Sequence, residues 1–299
     1  MVNINFTKYS KVYYIFSGLC VVAAFVCFFI FGLKFGIEFT GGSSLEAEFK
    51  SEMPSSDSVA QKLADLSLGD IVIQPLGQNE LVLRLKEVNE ETHQQIVSKL
   101  GEFPGFEEKS FELIGPQIGK ELKGKTELAI ILTLLSITIY ITFAFRKISR
   151  PVSSMQYGIA SLIALFHDVI IPLGVFSVLG KFYNVEITIP VVAAFLTILG
   201  FSVHDTIVIF DRIRENLLKR SSASFEETVN WSLNQTLGRS INTVVTVLLV
   251  LLAIFFFGGL TLRYFSLALI IGITSGAYSS IFIASPILLS WYNWARGRK

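Results

Sequence analysis

Charge is what this sequence has least of. Asp, Glu, Lys and Arg together make up 16% of its 299 residues, whereas apolar types make up 52%. So small a charged fraction excludes an ordinary soluble domain and points to several membrane spans. The charges nearly cancel, to +1, so no excess of one sign is available to attract a nucleic acid. Cysteine is scarce, at two residues. Cys20 and Cys27 lie in one apolar stretch, and seven helical residues rise roughly 10 Å. That exceeds the ~7 Å between Cα atoms that a disulfide can bridge, so both read as small apolar side chains. There is no H-E-x-x-H pair and no G-x-S-x-G elbow, which removes the common zinc-protease and serine-hydrolase motifs. Two His-Asp dipeptides occur, but adjacent helical residues diverge by about 100° and supply one ligand at a time. No enzyme activity, cofactor or metal is expected. No small-x-small cleavage site follows the first apolar run, Tyr13 to Leu33, which is longer than the roughly 7 to 15 residues of a signal-peptide core. It reads as a retained first span.

Five further apolar runs follow: Leu128–Phe145, Ile159–Leu179, Ile187–Phe210, Ile241–Phe257 and Tyr264–Leu289. Each is near the roughly 20 residues needed to cross a bilayer. Between the first and second spans the pattern changes to short alternating stretches. Ser44–Phe49, Asp70–Gln74, Glu80–Leu85 and Phe106–Ile114 read as strands, with a turn at Gly77–Asn79. Ser55–Leu66 and Asn89–Leu100 read as amphipathic helices, the second capped by Asn89 or Thr92. The order is βαββαβ, a ferredoxin-like arrangement. Three segments result: residues 1–35 with span one, a small domain over 36–125, and a five-span bundle over 126–299 with a connector at 211–239. In that connector, Ser224-Phe-Glu-Glu227 fits a capping box. Phe225, Val229, Trp231, Leu233 and Leu237 suit either an amphipathic helix in the interface plane or a packed connector helix.

Lysine and arginine set the orientation. With the N-terminus inside, the short inner segments hold Lys8, Lys11, Arg146, Lys147, Arg150, Arg212, Arg214, Lys219, Arg220, Arg239, Arg296, Arg298 and Lys299. The short outer loops hold only Lys181 and Arg263. Both termini are therefore expected in the cytoplasm and the βαββαβ domain outside it. Trp291, Tyr292 and Trp294 form an aromatic belt at the last inner interface.

The few ionisable groups at membrane depth are His167 and Asp168 in span three, His204 and Asp205 in span four, and Arg239 at the mouth of span five. A charge there costs about 2.5 to 3.5 kcal/mol on insertion scales, so it marks function unless it packs helices together. Arg239, Asn242, Thr243 and Thr246 form a polar stripe, and Asp205 with Arg239 is the natural pair. A carboxylate that alternates between burial and a fixed cation can load and release a proton. For Asp168, Pro172 one turn on offers a structural explanation through local kinking. In span six, Ala268, Gly272, Gly276, Ser280 and Ala284 recur four apart, a ridge that lets another helix approach closely.

Two stretches resemble a known family. Phe35-Gly-Ile-Glu-Phe-Thr-Gly-Gly42 is similar to the F-G-[IL]-D-F-x-G-G signature of the SecD/SecF family. Gly200–Asn216 resembles the span-four signature of the same family, and Ser161–Val169 and Gln235–Thr243 resemble further segments. Gly36, Glu38, Gly41 and Gly42 are the motif positions here, with Glu38 where Asp is usual, and His204 stands where Asn is usual. The resemblance implies one half of an RND-type transporter. It also implies a subunit of the bacterial protein-export machinery in the cytoplasmic membrane, driven by the proton gradient. Its implied partners are SecD, the SecY/SecE/SecG channel, SecA, translocating preproteins and membrane lipids. It further implies a proton-coupling role for Asp205 and Arg239, with Asp168 and His204 as additional candidates. The alternatives are an RND-like lipid or drug exporter half and a purely structural subunit of a membrane complex. The βαββαβ domain is too short to wall in a drug-sized cavity of about 300 Å³.

Overall fold

The structure is a computed structural model that describes residues 4–51, 53–76, 79–144, 152–219 and 223–296. Gly77 and Gln78 of the expected turn lie outside the described residues, as do Arg146, Lys147, Arg150, Arg220, Arg298 and Lys299 of the orientation count. After one turn at Thr7–Tyr9, the helices and strands run in this order: α1 (Ser10–Phe31), α2 (Ile37–Thr40), β1 (Gly42–Phe49), α3 (Ser56–Leu63), β2 (Val72–Leu76), β3 (Glu80–Leu85), α4 (Glu90–Leu100), β4 (Phe106–Ile114), α5 (Pro116–Ala144), α6 (Ser154–Tyr183), α7 (Ile189–Lys219), α8 (Phe225–Phe257), α9 (Leu260–Ser279) and α10 (Ser285–Arg296). Among the described residues six stretches are long and apolar enough to cross a membrane, the sixth running from Thr261 to Ala295 through α9 and α10. The chain divides into two compact units, one of residues 34–128 with 186–189, the other of the remaining helices.

The first unit is an antiparallel sheet in the order β2-β3-β1-β4. This is the ferredoxin-like order expected from βαββαβ. Alternation along β1 sends Leu45, Ala47 and Phe49 to one side, where they pack with Leu81, Leu83 and Leu85 of β3 and with Val59, Leu63, Ile96 and Leu100 of α3 and α4. Ser55 caps α3 by accepting from the Ser58 N–H, and Asn89 caps α4 by accepting from the Thr92 N–H. Asn89 is thus the cap, and Thr92 is the residue it serves. Strand β2 runs two residues beyond its expected end and includes Pro75. The extension is tolerated because β2 is an edge strand, where a missing N–H on the open side costs nothing. Gly41 and Gly42 open β1 with φ of +75° and +134°, conformations that side chains other than glycine rarely adopt. A Cβ on Gly41 would stand 2.9 Å from Pro116 Cα, and one on Gly42 2.7 Å from the Leu85 carbonyl.

The second unit is the helical bundle. About half of each apolar window in spans three, four and six is buried (50%, 44% and 56%), against 11%, 6% and 17% in spans one, two and five. Helices α6, α7 and α9–α10 therefore form its interior, and α1, α5 and α8 present apolar flanks such as Ile131, Leu135, Leu249 and Val250 outward. Tyr157, Leu165, Phe210, Ile213, Ala284 and Leu288 belong to its core. Gly174 of α6 lies so close to α1 that a Cβ would meet Ala24 Cα at 2.5 Å.

Of the two readings of the connector, the packed helix is the one observed: it is no separate interfacial helix, because residues 225 to 257 form one helix, capped by the expected Ser224/Glu227 box. Its buried Phe225, Val229 and Leu233 join the bundle core, while Trp231 is exposed. Span six is not a plain helix either. Its turn Ser280–Ala284 is widened to the π form. Pro286 cannot donate to the carbonyl four residues back, which favours such a local widening.

Candidate functional site

Asp168 is fully buried on α6. Its Oδ2 accepts from Ser202 Oγ of α7 at 2.5 Å and from Ser279 Oγ of α9 at 2.6 Å. Its Oδ1 accepts from Ser275 Oγ at 3.1 Å and lies 2.9 Å from His167 Nδ1. Four partners fill the acceptor capacity of an ionised carboxylate. The cage unites three helices in the interior of the bundle, where an unsatisfied carboxylate would be most costly. His167 is buried beside it and stacks on Tyr278 with ring centroids 6.0 Å apart.

Asp205 lies midway along α7 and is half-buried. Its Oδ1 accepts from Ser240 Oγ of α8 at 2.8 Å. Its Oδ2 is buried and makes no hydrogen bond within 3.5 Å among the described residues, with the Ser280 hydroxyl of span six beside the carboxylate. The next residue, Thr206, meets Ser280 Oγ at 2.8 Å, so the polar groups of α7 continue to the widened turn of span six.

The expected Asp205–Arg239 pair is not formed. Arg239 is exposed and makes no ion pair with a described residue. The reason is helical phase: Thr236, Ser240 and Val244 form the buried face of α8, and residue 239 points about 100° away from residue 240. Arg239 instead lines a cavity of about 380 Å³ with Asp211, Arg212, Arg214, Glu215 and Gln235. Arg212 is held there by Glu215 at 2.6 Å and by Gln235 at 2.6 Å. His204 is exposed, on a different face of α7 from Ser202 and Thr206, which are buried. Among the described residues no group of three or more His, Cys, Asp or Glu side chains could hold a metal ion.

The small-residue positions of span six lie against α7. A Cβ on Gly272 would meet Ile198 Cδ1 at 2.2 Å, and one on Gly276 would meet Ser202 Cβ at 3.1 Å. Ala268, Ser280 and Ala284 are fully buried. The sequence reading missed Ser202, Ser240, Ser275 and Ser279. A serine in a membrane helix commonly bonds to its own helix four residues back, so a single one carries no signal. The usable signal was Ser275 and Ser279 together, one turn apart beside the small-residue ridge.

Six membrane-length helices, a buried acid in a hydroxyl cage, a second half-buried acid, and one sheet domain after the first helix define a multi-pass membrane protein with ionisable groups in its interior. Residues 94–294 match the family model for the protein export membrane protein SecD/SecF, C-terminal, and residues 28–53 match the SecD/SecF GG motif. The chain belongs to the SecD/SecF family. It is 43% identical to the protein translocase subunit SecF of Thermobaculum terrenum, over 97% of this chain and 94% of that one. It is 37% identical to the SecF of Anaerolinea thermophila, over 100% of this chain and 99% of that one. The crystal structure of SecDF, a translocon-associated membrane protein from Thermus thermophilus, matches with a TM-score of 0.87 at 32% identity. The match covers 98% of this chain and 39% of that one, so this chain spans about two fifths of the solved SecDF.

Proposed function

We propose that the chain is a subunit of the Sec protein-export machinery that works with SecD and uses the proton gradient to promote translocation of secreted proteins. Near full-length likeness to SecF subunits supports the export role. The proton role rests on Asp205, an acid midway along a membrane helix with one oxygen anchored on Ser240 and the other buried without a hydrogen bond inside 3.5 Å, beside Ser280. A buried carboxylate oxygen without a donor is costly while charged and relieved by a proton. Asp168, held by serines of α7 and α9, is a second acid of the same relay. Arg239 and His204, both exposed, act from the flank on the charge that reaches Asp205.

The exposed polar stripe of α8, Arg239, Asn242, Thr243 and Thr246, faces a partner half, because polar groups turned to lipid are unfavourable. SecD supplies that half. The wider assembly is the SecY/SecE/SecG channel with SecA, the translocating preprotein and surrounding lipid, in the bacterial cytoplasmic membrane. Residues 36–125 stand outside the membrane, and residues 126–299 form the five-helix bundle with its cytoplasmic connector at 211–239. The motif positions Gly36, Glu38, Gly41 and Gly42 shape the entry to β1 of the sheet domain, and Gly272, Gly276 and Ser280 serve helix packing.

The test is secretion of a reporter in cells that rely on Asp205→Asn, with membrane abundance followed in parallel. Asn is nearly isosteric and still accepts from Ser240, so a packing residue tolerates it to within about 1 kcal/mol. A proton carrier does not, because Asn cannot titrate. Loss of secretion at normal abundance is expected, and normal secretion would reduce Asp205 to scaffolding.

A further inference from the structure

The segment between α6 and α7 is built into the sheet domain. Residues 186–189 belong to the same compact unit as residues 34–128. Ile187 is paired on both sides of its backbone: its N–H donates to the Lys34 carbonyl at 2.7 Å, and its carbonyl accepts from the Gly36 N–H at 3.0 Å. Phe35 and Ile187 thus form a one-residue parallel bridge. One residue earlier, Glu186 Oε2 lies 3.0 Å from Arg84 Nε of β3, and both side chains are largely buried (6% and 14% exposed). Arg84 Nη1 also donates to Gln74 Oε1 of β2 at 2.9 Å. The Ile189 N–H donates toward the Glu38 carboxylate, which places an anion at the first turn of α7, where the helix dipole favours it.

Stability alone does not account for this arrangement. A buried ion pair gains little over an apolar pair of similar volume, and its best-attested use is to fix one register. The register fixed here is that of the entry to α7. That helix runs unbroken from Ile189 through Asp205, about 24 Å at 1.5 Å per residue. With only five residues between the end of α6 and the start of α7, the chain has little slack to absorb an axial shift.

We infer that Glu186, Arg84 and Glu38 form a tie through which displacement of α7 is delivered to the sheet domain. The three are positioning residues. The inference rests on the proton-driven reading above: protonation at Asp205 moves α7, and the tie converts that motion into movement of the domain.

The test uses full-length protein in its native membrane complex. The variants are Glu186→Gln, Glu186→Arg, Arg84→Glu and the swap Arg84→Glu/Glu186→Arg, with Asp205→Asn as reference. Secretion of a reporter, proton flux in vesicles and amide exchange at residues 34–38 and 187–189 are measured together. The single variants are expected to lose secretion severalfold while keeping wild-type proton flux, and the swap to recover most of it. Asp205→Asn is expected to lose both readouts. The near-isosteric Glu186→Gln should already exchange its 187–189 amides several times faster than wild type. Normal secretion by the single variants beside a defective Asp205→Asn overturns the tie and leaves the proton-driven reading standing. Unchanged amide exchange in Glu186→Gln, or loss of proton flux together with secretion in the single variants, also overturns it. Wild-type proton flux and secretion in Asp205→Asn is the separate result that removes the reading itself.

Discussion

At the scale of single residues, two glutamates of the sheet domain give a pH signature with a definite sign. Burial pushes the Glu186 carboxyl above the ordinary glutamate range, against the opposing pull of Arg84 and Lys34 and with a further push from Glu38. Burial likewise raises Glu38, while the N–H groups of Glu38 and Ile189 and the Arg84 guanidinium oppose it and Glu112 adds to it. A carboxyl raised on folding binds its proton more tightly in the folded chain. Its stabilising contribution is complete below the unfolded value of about 4.3 and is lost as pH rises through the folded value. Glu38→Gln and Glu186→Gln remove that dependence. The melting temperature of the wild type minus that of either variant, measured in detergent, should therefore fall as pH is raised from about 4. A difference that grows with pH would contradict it. Glu107, held low by Lys50, runs the other way, but it is common to both proteins and cancels in the comparison. The sequence put Asp205 and Asp168 on the short list because a membrane acid stands out alone. It paired Asp205 with the wrong residue because the partner depends on helical phase, and a single step from Arg239 to Ser240 changes a guanidinium into a hydroxyl.

At the scale of elements, the seam between α7 and span six is set by the glycines that let Ile198 and Ser202 approach. Gly272→Leu should destabilise the protein by about 1–3 kcal/mol through overpacking, read as a lowered melting temperature in detergent. Gly200 and Gly238 have nothing within 4 Å of an added Cβ, so Gly200→Ala, inside α7, should be neutral to stabilising by up to about 1 kcal/mol by the same measurement. Equal effects at Gly272 and Gly200 would mean the seam is looser than its distances. Much at this scale was legible: strand alternation and the caps Asn89 and Ser224 located the sheet domain and the start of α8. What was not legible depended on neighbours. Pro75 looked like the end of a strand because its position at the sheet edge is a tertiary fact. The break between connector and span five was inferred from a change in polarity, yet backbone hydrogen bonding continues through it and past Gly238, since a change of surface polarity does not by itself end a helix and an isolated Gly within one is tolerated. The Asp168 cage was invisible because its hydroxyls come from two helices more than thirty residues further along the chain.

At the scale of the whole molecule, the orientation proposed from the Lys and Arg distribution is open to chemical labelling. With Cys20 and Cys27 replaced by alanine, cysteine at Ser58 in α3 should react with an impermeant thiol reagent from outside intact cells. Cysteine at Leu218 near the end of α7, 78% exposed, should react only after the membrane is opened. The opposite pattern would invert the topology. A last consequence lies in the first few described residues. The Ile4 and Phe6 N–H groups donate to Asn234 Oδ1 at 2.9 Å and Asn230 Oδ1 at 2.8 Å, Asn234 Nδ2 returns a bond to the Ile4 carbonyl at 2.8 Å, and Thr7 Oγ1 reaches Glu226. These partners are made more than two hundred residues apart on the ribosome. Residues 4–7 and their partners on α8 therefore lie on either side of four spans in the order of synthesis, so this corner of the bundle can close only after the fifth span has been made.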